Sequence, residues 1–259
     1  MPFAYNSRNP TAMRSPVSQA PAEVVKELAP TGTLRAVLNL GNIVLVQTDE
    51  QTGKQKGVTV DLAHELARRL GVPVAFTPFD GAGKAFEALK SGAHDIAFLA
   101  NEPARAAEIA FTAPYVLIEG VYLVPQDSPL RAVGDVDRPG IRIAVNKASA
   151  YDLYLTRNLK HATLIRSSEG GDDVFEDQKL EVLAGVRQII MRYAKTNPQA
   201  RILDGRFMEI QQAMATQVGR PAGSAYLRAF VEEMKRSGFV ADGLKRSNQP
   251  DAAVAPPAA

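Results

Sequence analysis

From Leu34 onward, short apolar runs alternate with stretches of helical period, and a chain patterned that way folds into parallel βαβ units. Leu34–Leu38 has the length and apolar content of a strand. Asp61–Leu70 follows as a helix, with Leu62, Leu66 and Leu70 on one face, Asp61 at its N-cap and Gly71 beyond its end. Val74–Thr77 is expected as a strand, and Ala82–Lys90 as a helix turned inward through Ala82, Ala85, Phe86 and Leu89. Asp95–Ala100 reads as a buried strand, and a short helix holding Arg105 comes next. Val121–Pro125 is the strand that leaves this unit.

After the turn-rich stretch 126–140 the pattern restarts. Ile141–Val145 is expected as a strand, and Ser149–Leu159 as a helix in which Ser149 and Asp152 have the spacing of a capping box. Ala162–Arg166 and Leu180–Leu183 read as strands, Val186–Tyr193 as a helix and Arg201–Asp204 as a last strand. Phe207–Ala213 is apolar around Gln211 and Gln212, and Tyr226–Lys235 is an amphipathic helix stopped at Gly238. A pattern that runs, stops and restarts predicts an α/β fold of two lobes, each a mixed, mostly parallel sheet flanked by helices. The first lobe is assigned to residues 31–122 plus 211–246, the second to 126–206. Residues 1–30 and the Ala/Pro-rich stretch 247–259 offer little to bury and are expected to be disordered.

Charge and composition remove several function classes. The chain carries 30 basic and 28 acidic residues, a net charge of +2, which leaves no electrostatic footprint for nucleic acid. No apolar run approaches the ~18 residues that a membrane-spanning helix needs. Cysteine is absent, so disulfides, thiol catalysis and cysteine-ligated zinc are excluded. His64, His94 and His161 lack any metal-ligand spacing, and neither a metal nor a cofactor is expected. Gly81-Ala-Gly83-Lys84 has the outline of a phosphate loop, but Ala85 stands where a hydroxyl would hold magnesium. No Gly-x-Ser-x-Gly elbow occurs. Asp61, Asp80 and Glu119 are candidate acids, yet nothing in the sequence pairs them for acid–base work. The first thirty residues lack the basic start, apolar stretch and cleavage site of a secretory signal.

Three segments carry more than periodicity. Gly57-Val-Thr-Val-Asp61-Leu-Ala leads into a helix ending Leu70-Gly71. Leu89-Lys-Ser-Gly92-Ala-His-Asp95 is followed by Arg105 and then by Phe111-Thr-Ala-Pro114-Tyr115. Gly140-Ile-Arg-Ile-Ala-Val-Asn-Lys-Ala-Ser149 joins a strand to a helix start. Together these segments resemble the bacterial extracellular (periplasmic) solute-binding proteins of the polar amino-acid group, the type II Venus-flytrap family that serves ABC transporters. The resemblance spans roughly residues 31–245. It implies a periplasmic-binding-protein-like type II fold with a ligand held between the lobes, and a periplasmic location. Arg105 stands where the family's arginine pairs with a ligand carboxylate, a role suited to a guanidinium fork. Ser149 would open the helix whose backbone donors face the same anion.

Other candidates come from position. Asn39 and Asn42 lie just past a strand's C-terminal end, where α/β folds bind ligands. Asn101 lies on the loop before Arg105, and Gln211 on the returning crossover. Each has a plainer alternative: an arginine in an ordinary surface ion pair, asparagines shaping local turns, a serine capping only its own helix. The chain also departs from the family. The interval from Asp95 to Arg105 is about two residues short, and Asn39-Leu-Gly-Asn42-Ile-Val-Leu45 replaces an aromatic–proline segment. The acid that often holds an amino-acid ammonium is missing after Leu180–Leu183, where Val186 stands.

The expected function is capture of a small carboxylate ligand, an amino acid or related organic acid, without catalysis, for the membrane subunits of an ABC transporter. One alternative is a dehydratase-type lyase on the same fold, acting on a cyclic carboxylate such as prephenate or arogenate. Another is a cytoplasmic ligand-binding or sensor module.

Overall fold

The computed structural model describes residues 19–249 and 252–258. Its first unit is a parallel triplet, β1 (Leu34–Asn39), β4 (Val74–Phe79) and β5 (Ile96–Ala100), with β1 in the middle. The crossovers are α2 (Val58–Leu70) and α3 (Ala82–Lys90); before α2 lies a hairpin of β2 (Gln47–Thr48) and β3 (Gln55–Lys56). Helix α2 forms because Val58, Leu62, Leu66 and Leu70 recur on one buried face. Burying each such side chain is worth about 1.5–3 kcal/mol.

The second unit repeats the scheme with β7 (Arg142–Asn146) between β8 (Thr163–Ser167) and β9 (Val182–Val186), all parallel. Its helices are α5 (Ala150–Asn158), α6 (Asp172–Asp177) and α7 (Arg187–Thr196). Between the units run α4 (Pro103–Ala106) and the seventeen-residue β6 (Ile109–Pro125). The chain returns through β10 (Ala200–Ile202) and β11 (Met208–Gln217), then α8 (Pro221–Arg236) and α9 (Phe239–Arg246).

Strand β6 joins the two triplets. Ile109–Gly120 pairs with β11, and Gly120–Leu123 pairs with β9, both antiparallel. Hydrogen bonding therefore runs unbroken through β4-β1-β5-β11-β6-β9-β7-β8. The expectation of separate sheets is corrected: the lobes are two parallel triplets sharing antiparallel crossing strands. The sequence reading also began the exit strand at Val121, whereas it starts at Ile109. Pro114, which cannot donate to a ladder, obscured it; it sits opposite Ala213 where the β6–β11 register shifts, the place a bulge admits a proline.

Further corrections are local. Helix α2 starts at Val58, so Asp61 lies inside its first turn and not at the cap. Gly57 turns the chain there with φ 127°, and a Cβ on it would lie 2.4 Å from the Leu45 carbonyl oxygen. The Asp61 carboxylate instead meets Arg246 at 2.7 Å. The capping box at Ser149 is half formed. Ser149 Oγ accepts from the Asp152 N–H, but Asp152 Oδ2 accepts from the Ala148 N–H and not from Ser149.

Neither end is featureless. Ala22–Leu28 forms helix α1, which packs Val24 and Leu28 against α8, and Glu27 Oε2 accepts from the Gly223 N–H at 2.7 Å. Residues 1–18 lie outside the described residues. In the tail, β12 (Ala253–Val254) pairs with β6, and Lys235 Nζ donates to the Pro256 carbonyl at 2.8 Å. Apolar Ala252 and Ala255 are buried there, which a composition count could not reveal. No helix among the described residues is long and apolar enough to cross a membrane.

Candidate functional site

The C-terminal ends of the parallel strands in both units open on one cleft of about 350 Å³. Open α/β sheets place ligands at such strand ends because helix N-termini and loop backbone donors converge there. From the first unit come Asn39–Ile43 after β1, Asp80–Ala82 after β4, and Ala100 and Arg105 after β5. From the second come Asn146–Tyr151 except Ala148, then Glu169, Gly170 and Asp172 after β8, and Val186, Ile189, Ile190, Arg192 and Tyr193 at the end of β9 and in α7.

Arg105 is the charged residue most deeply set in this cleft, at 3% exposure. Its Nη2 donates to the Ala148 carbonyl at 2.9 Å and its Nη1 to the Ala100 carbonyl at 3.3 Å. Burial pushes its pKa down to about 10, against the opposing pull of Glu102. Glu102, 4% exposed, is held by Arg157 of α5 and does not line the cleft. The guanidinium thus has carbonyl partners and no carboxylate partner among the described residues.

Asn39, Asn42 and Ser149 line the cleft with Arg105. Asn39 Oδ1 accepts from the Gly41 N–H at 3.1 Å, and the Asn42 N–H donates to the Asn39 carbonyl, so this segment closes on itself as a turn. That turn leaves the Asn42 side chain 7% exposed with no partner for Oδ1 among the described residues. Ser149 caps α5 through the Asp152 N–H. Asn101 and Gln211 do not line the cleft and are exposed, which corrects their placement. Strand alternation explains the second case: Ile210 and Gln212 point to the cleft, so Gln211 faces the other way. The backbone of Asn101 is bonded to the Gln211 carbonyl, holding both in the ladder.

The family model for bacterial extracellular solute-binding proteins, family 3, matches residues 44–246. The chain belongs to this family. Among solved structures, this family 3 protein is similar to a solute receptor for L-cysteine of Neisseria gonorrhoeae. That match has 22% identity and a TM-score of 0.74, covering 87% of this chain and 94% of that one. It is also similar to a mutant of the T. maritima protein ArgBP, at 20% identity and TM-score 0.72, covering 87% and 99%. A third is the ancestral amino-acid-binding protein AncCDT-1, described as a precursor of cyclohexadienyl dehydratase, at 23% identity and TM-score 0.69, covering 86% and 97%. These likenesses establish the two-lobed type II fold. No curated protein matches the chain.

The sequence reading of this solute-binding protein missed the loop after β8. Glu169, Gly170 and Asp172 come to the cleft because Gly171, at φ 104°, lets the loop pass close to the Val145 backbone, where a Cβ would lie 3.1 Å from the carbonyl carbon. The Gly170-Gly171 pair between acids was the available signal. Arg192 and Tyr193, one turn into α7, carried no signal in the sequence.

Proposed function

We propose that this family 3 protein captures a small carboxylate-bearing solute, an amino acid or a related organic acid, and presents it to the membrane subunits of an ABC transporter in the periplasm. The cleft lies between a lobe of residues 31–122 plus 211–246 and a lobe of residues 126–206. One observation carries the reading: Arg105 is 97% buried at the cleft without a carboxylate partner among the described residues. A buried cation lacking a counter-ion costs free energy, and a solute carboxylate supplies that counter-ion through two parallel N–H···O bonds. The Ser149 N-cap adds the first-turn amides of α5 beside it.

Catalysis is not part of this reading. A proton donor would have to be held against the solute, and Glu102 is committed to Arg157 outside the cleft. Asp80, Glu169 and Asp172 line the cleft but are exposed to water.

The test starts with native mass spectrometry of the purified protein to identify a retained solute, followed by calorimetry on Arg105→Ala. Leaving a bound carboxylate unpaired costs about 2–5 kcal/mol, a loss of roughly 30- to several-thousand-fold in affinity. A loss under about threefold would place Arg105 outside the site. Incubation with prephenate or arogenate, followed by mass, is expected to return both unchanged; loss of water or carbon dioxide would replace this reading with a lyase.

A further inference from the structure

Gly83 and Ala148 meet across the two units more closely than a side chain at position 83 would permit. Gly83 is the second residue of α3 in the first unit, and Ala148 lies in the turn after β7 in the second. A Cβ on Gly83 would lie 2.8 Å from the Ala148 Cβ; among the described residues nothing else outside its own helix and chain neighbours comes within 4 Å. Two aliphatic carbons rest at about 3.5–4.0 Å. A methyl group at position 83 therefore fits its own unit and collides only with the other one.

Neither side of this contact can give way locally. The Ala148 N–H donates to Asp152 Oδ2 at 2.9 Å, and Asp152, itself buried, is held by Arg166 Nε at 2.9 Å. Helix α3 is seated on the core through Ala85 and Leu89, both fully buried. Relief would come from moving the units apart by roughly 1 Å. The bond from Arg105 Nη2 to the Ala148 carbonyl spans 2.9 Å, and that movement would take it out of hydrogen-bond range. Gly83 and Ala148 do not line the cleft; both line a neighbouring cavity of about 810 Å³ that shares Arg105 with it.

We infer that the bare backbone at Gly83 sets how far the two units close on each other, and through Arg105 how tightly a solute is held. Gly83 is a positioning residue: it acts on the site without meeting the solute, and Ala148 is the surface it stops against. The inference rests on the solute-capture reading above and adds to it the contact that limits closure.

Calorimetry on the full chain with the standard L-amino acids, lactate and succinate selects the tightest-binding of these probes. Gly83→Ala is expected to bind that probe at least about tenfold more weakly. Its melting temperature without the probe should stay unchanged or rise, because alanine suits a helix better than glycine. Adding Ala148→Gly removes the opposing methyl group and should return affinity to within about threefold of the unmodified chain. Glycine also suits the left-handed φ of 58° at that position. A merely structural role for Gly83 would lower the melting temperature and would not be rescued from the other unit. The chain has no cysteine, so Gly83→Cys with Ala148→Cys places its only two thiols at the contact. Oxidised glutathione should close them into a disulfide within one chain, and absence of that disulfide would overturn the inference. Unchanged affinity in Gly83→Ala, or a loss that Ala148→Gly does not rescue, would overturn it and leave the solute-capture reading in place. Failure of every probe to bind the unmodified chain would overturn that reading together with the inference.

Discussion

Arg105 Nη2 lies 2.9 Å from the carbonyl oxygen of Ala148, so the guanidinium after β5 reaches from the first parallel unit to the turn after β7 in the second. Ala148 offers that carbonyl from a left-handed conformation at φ 58°, uncommon for a residue with a side chain. The residue proposed to take a solute carboxylate is thus also a link between the two halves of the cleft. A solute gripped by Arg105 would act on both lobes at once.

A second link runs beside it, from Glu102 to Arg157 on α5. Glu102 is 4% exposed, whereas the Arg157 side chain is 38% exposed. Removing the two partners should therefore be unequal. Arg157→Ala leaves a buried carboxylate short of a charged donor and is expected to lower stability by about 1–3 kcal/mol, toward the low end because water reaches the pair. Glu102→Gln leaves only a hydrated arginine and should cost less. Urea unfolding of both variants checks the order; equal costs would mean that Glu102 is hydrated in solution.

Asp95 is an acid held by two arginines, Arg35 and Arg220. It is fully buried, and it accepts from the Arg35 N–H, Arg35 Nε and Nη2, and Arg220 Nη1 at 2.7–3.1 Å. These bonds tie β1, the entry to β5 and the start of α8 together. The Asp95 hydrogen bonds hold the Arg35 guanidinium above its usual pKa. Asp95→Ala strands two partly buried cations and is expected to destabilise the protein by about 3–5 kcal/mol. A loss below about 1 kcal/mol by chemical denaturation would show that water replaces the carboxylate there.

Deleting residues 252–259 should lower the melting temperature by several degrees with little change in solute affinity. The deletion removes the β12–β6 pairing and the Pro256 carbonyl that holds Lys235, a lysine with only 9% exposure. Lys235 keeps its ion pair with Glu232 at 2.6 Å and a longer contact to the Pro114 carbonyl at 3.2 Å. Differential scanning calorimetry on the shortened chain measures the effect, and an unchanged transition would mean that the tail contributes nothing to the fold.

Under the proposed function a solute carboxylate binds the protonated form of Arg105, so binding would raise that group's proton affinity. Affinity should be fully present well below the free-state value of about 10 and be lost as pH rises through it. Calorimetric titrations between about pH 6 and about pH 8 are expected to agree, with roughly tenfold weakening for each unit beyond the free-state pKa. A fall in affinity already complete by about pH 8 would identify a different titrating group.

Much of this protein was legible in its residues. The strand and helix order, the position of α3, the Ser149 cap and the placement of Arg105 after a buried strand follow from periods of 2 and 3.6 and from local chemistry, which neighbouring residues settle among themselves. Chain-long pairing is another matter. That β6 belongs to both units, that Pro114 marks a register shift within it, and that the Ala/Pro tail adds a strand depend on partners far away along the chain. The cleft divides the same way. Arg105, Asn39, Asn42 and Ser149 could be named from the sequence, but the choice of Gln212 over Gln211 waits on the β11 register, since a shift of one residue turns every side chain to the opposite face. Whether Glu102 faces the solute or Arg157, and whether Glu169 reaches the cleft at all, is decided by how the two units close on each other, because charges meet through space and the sequence records only their order.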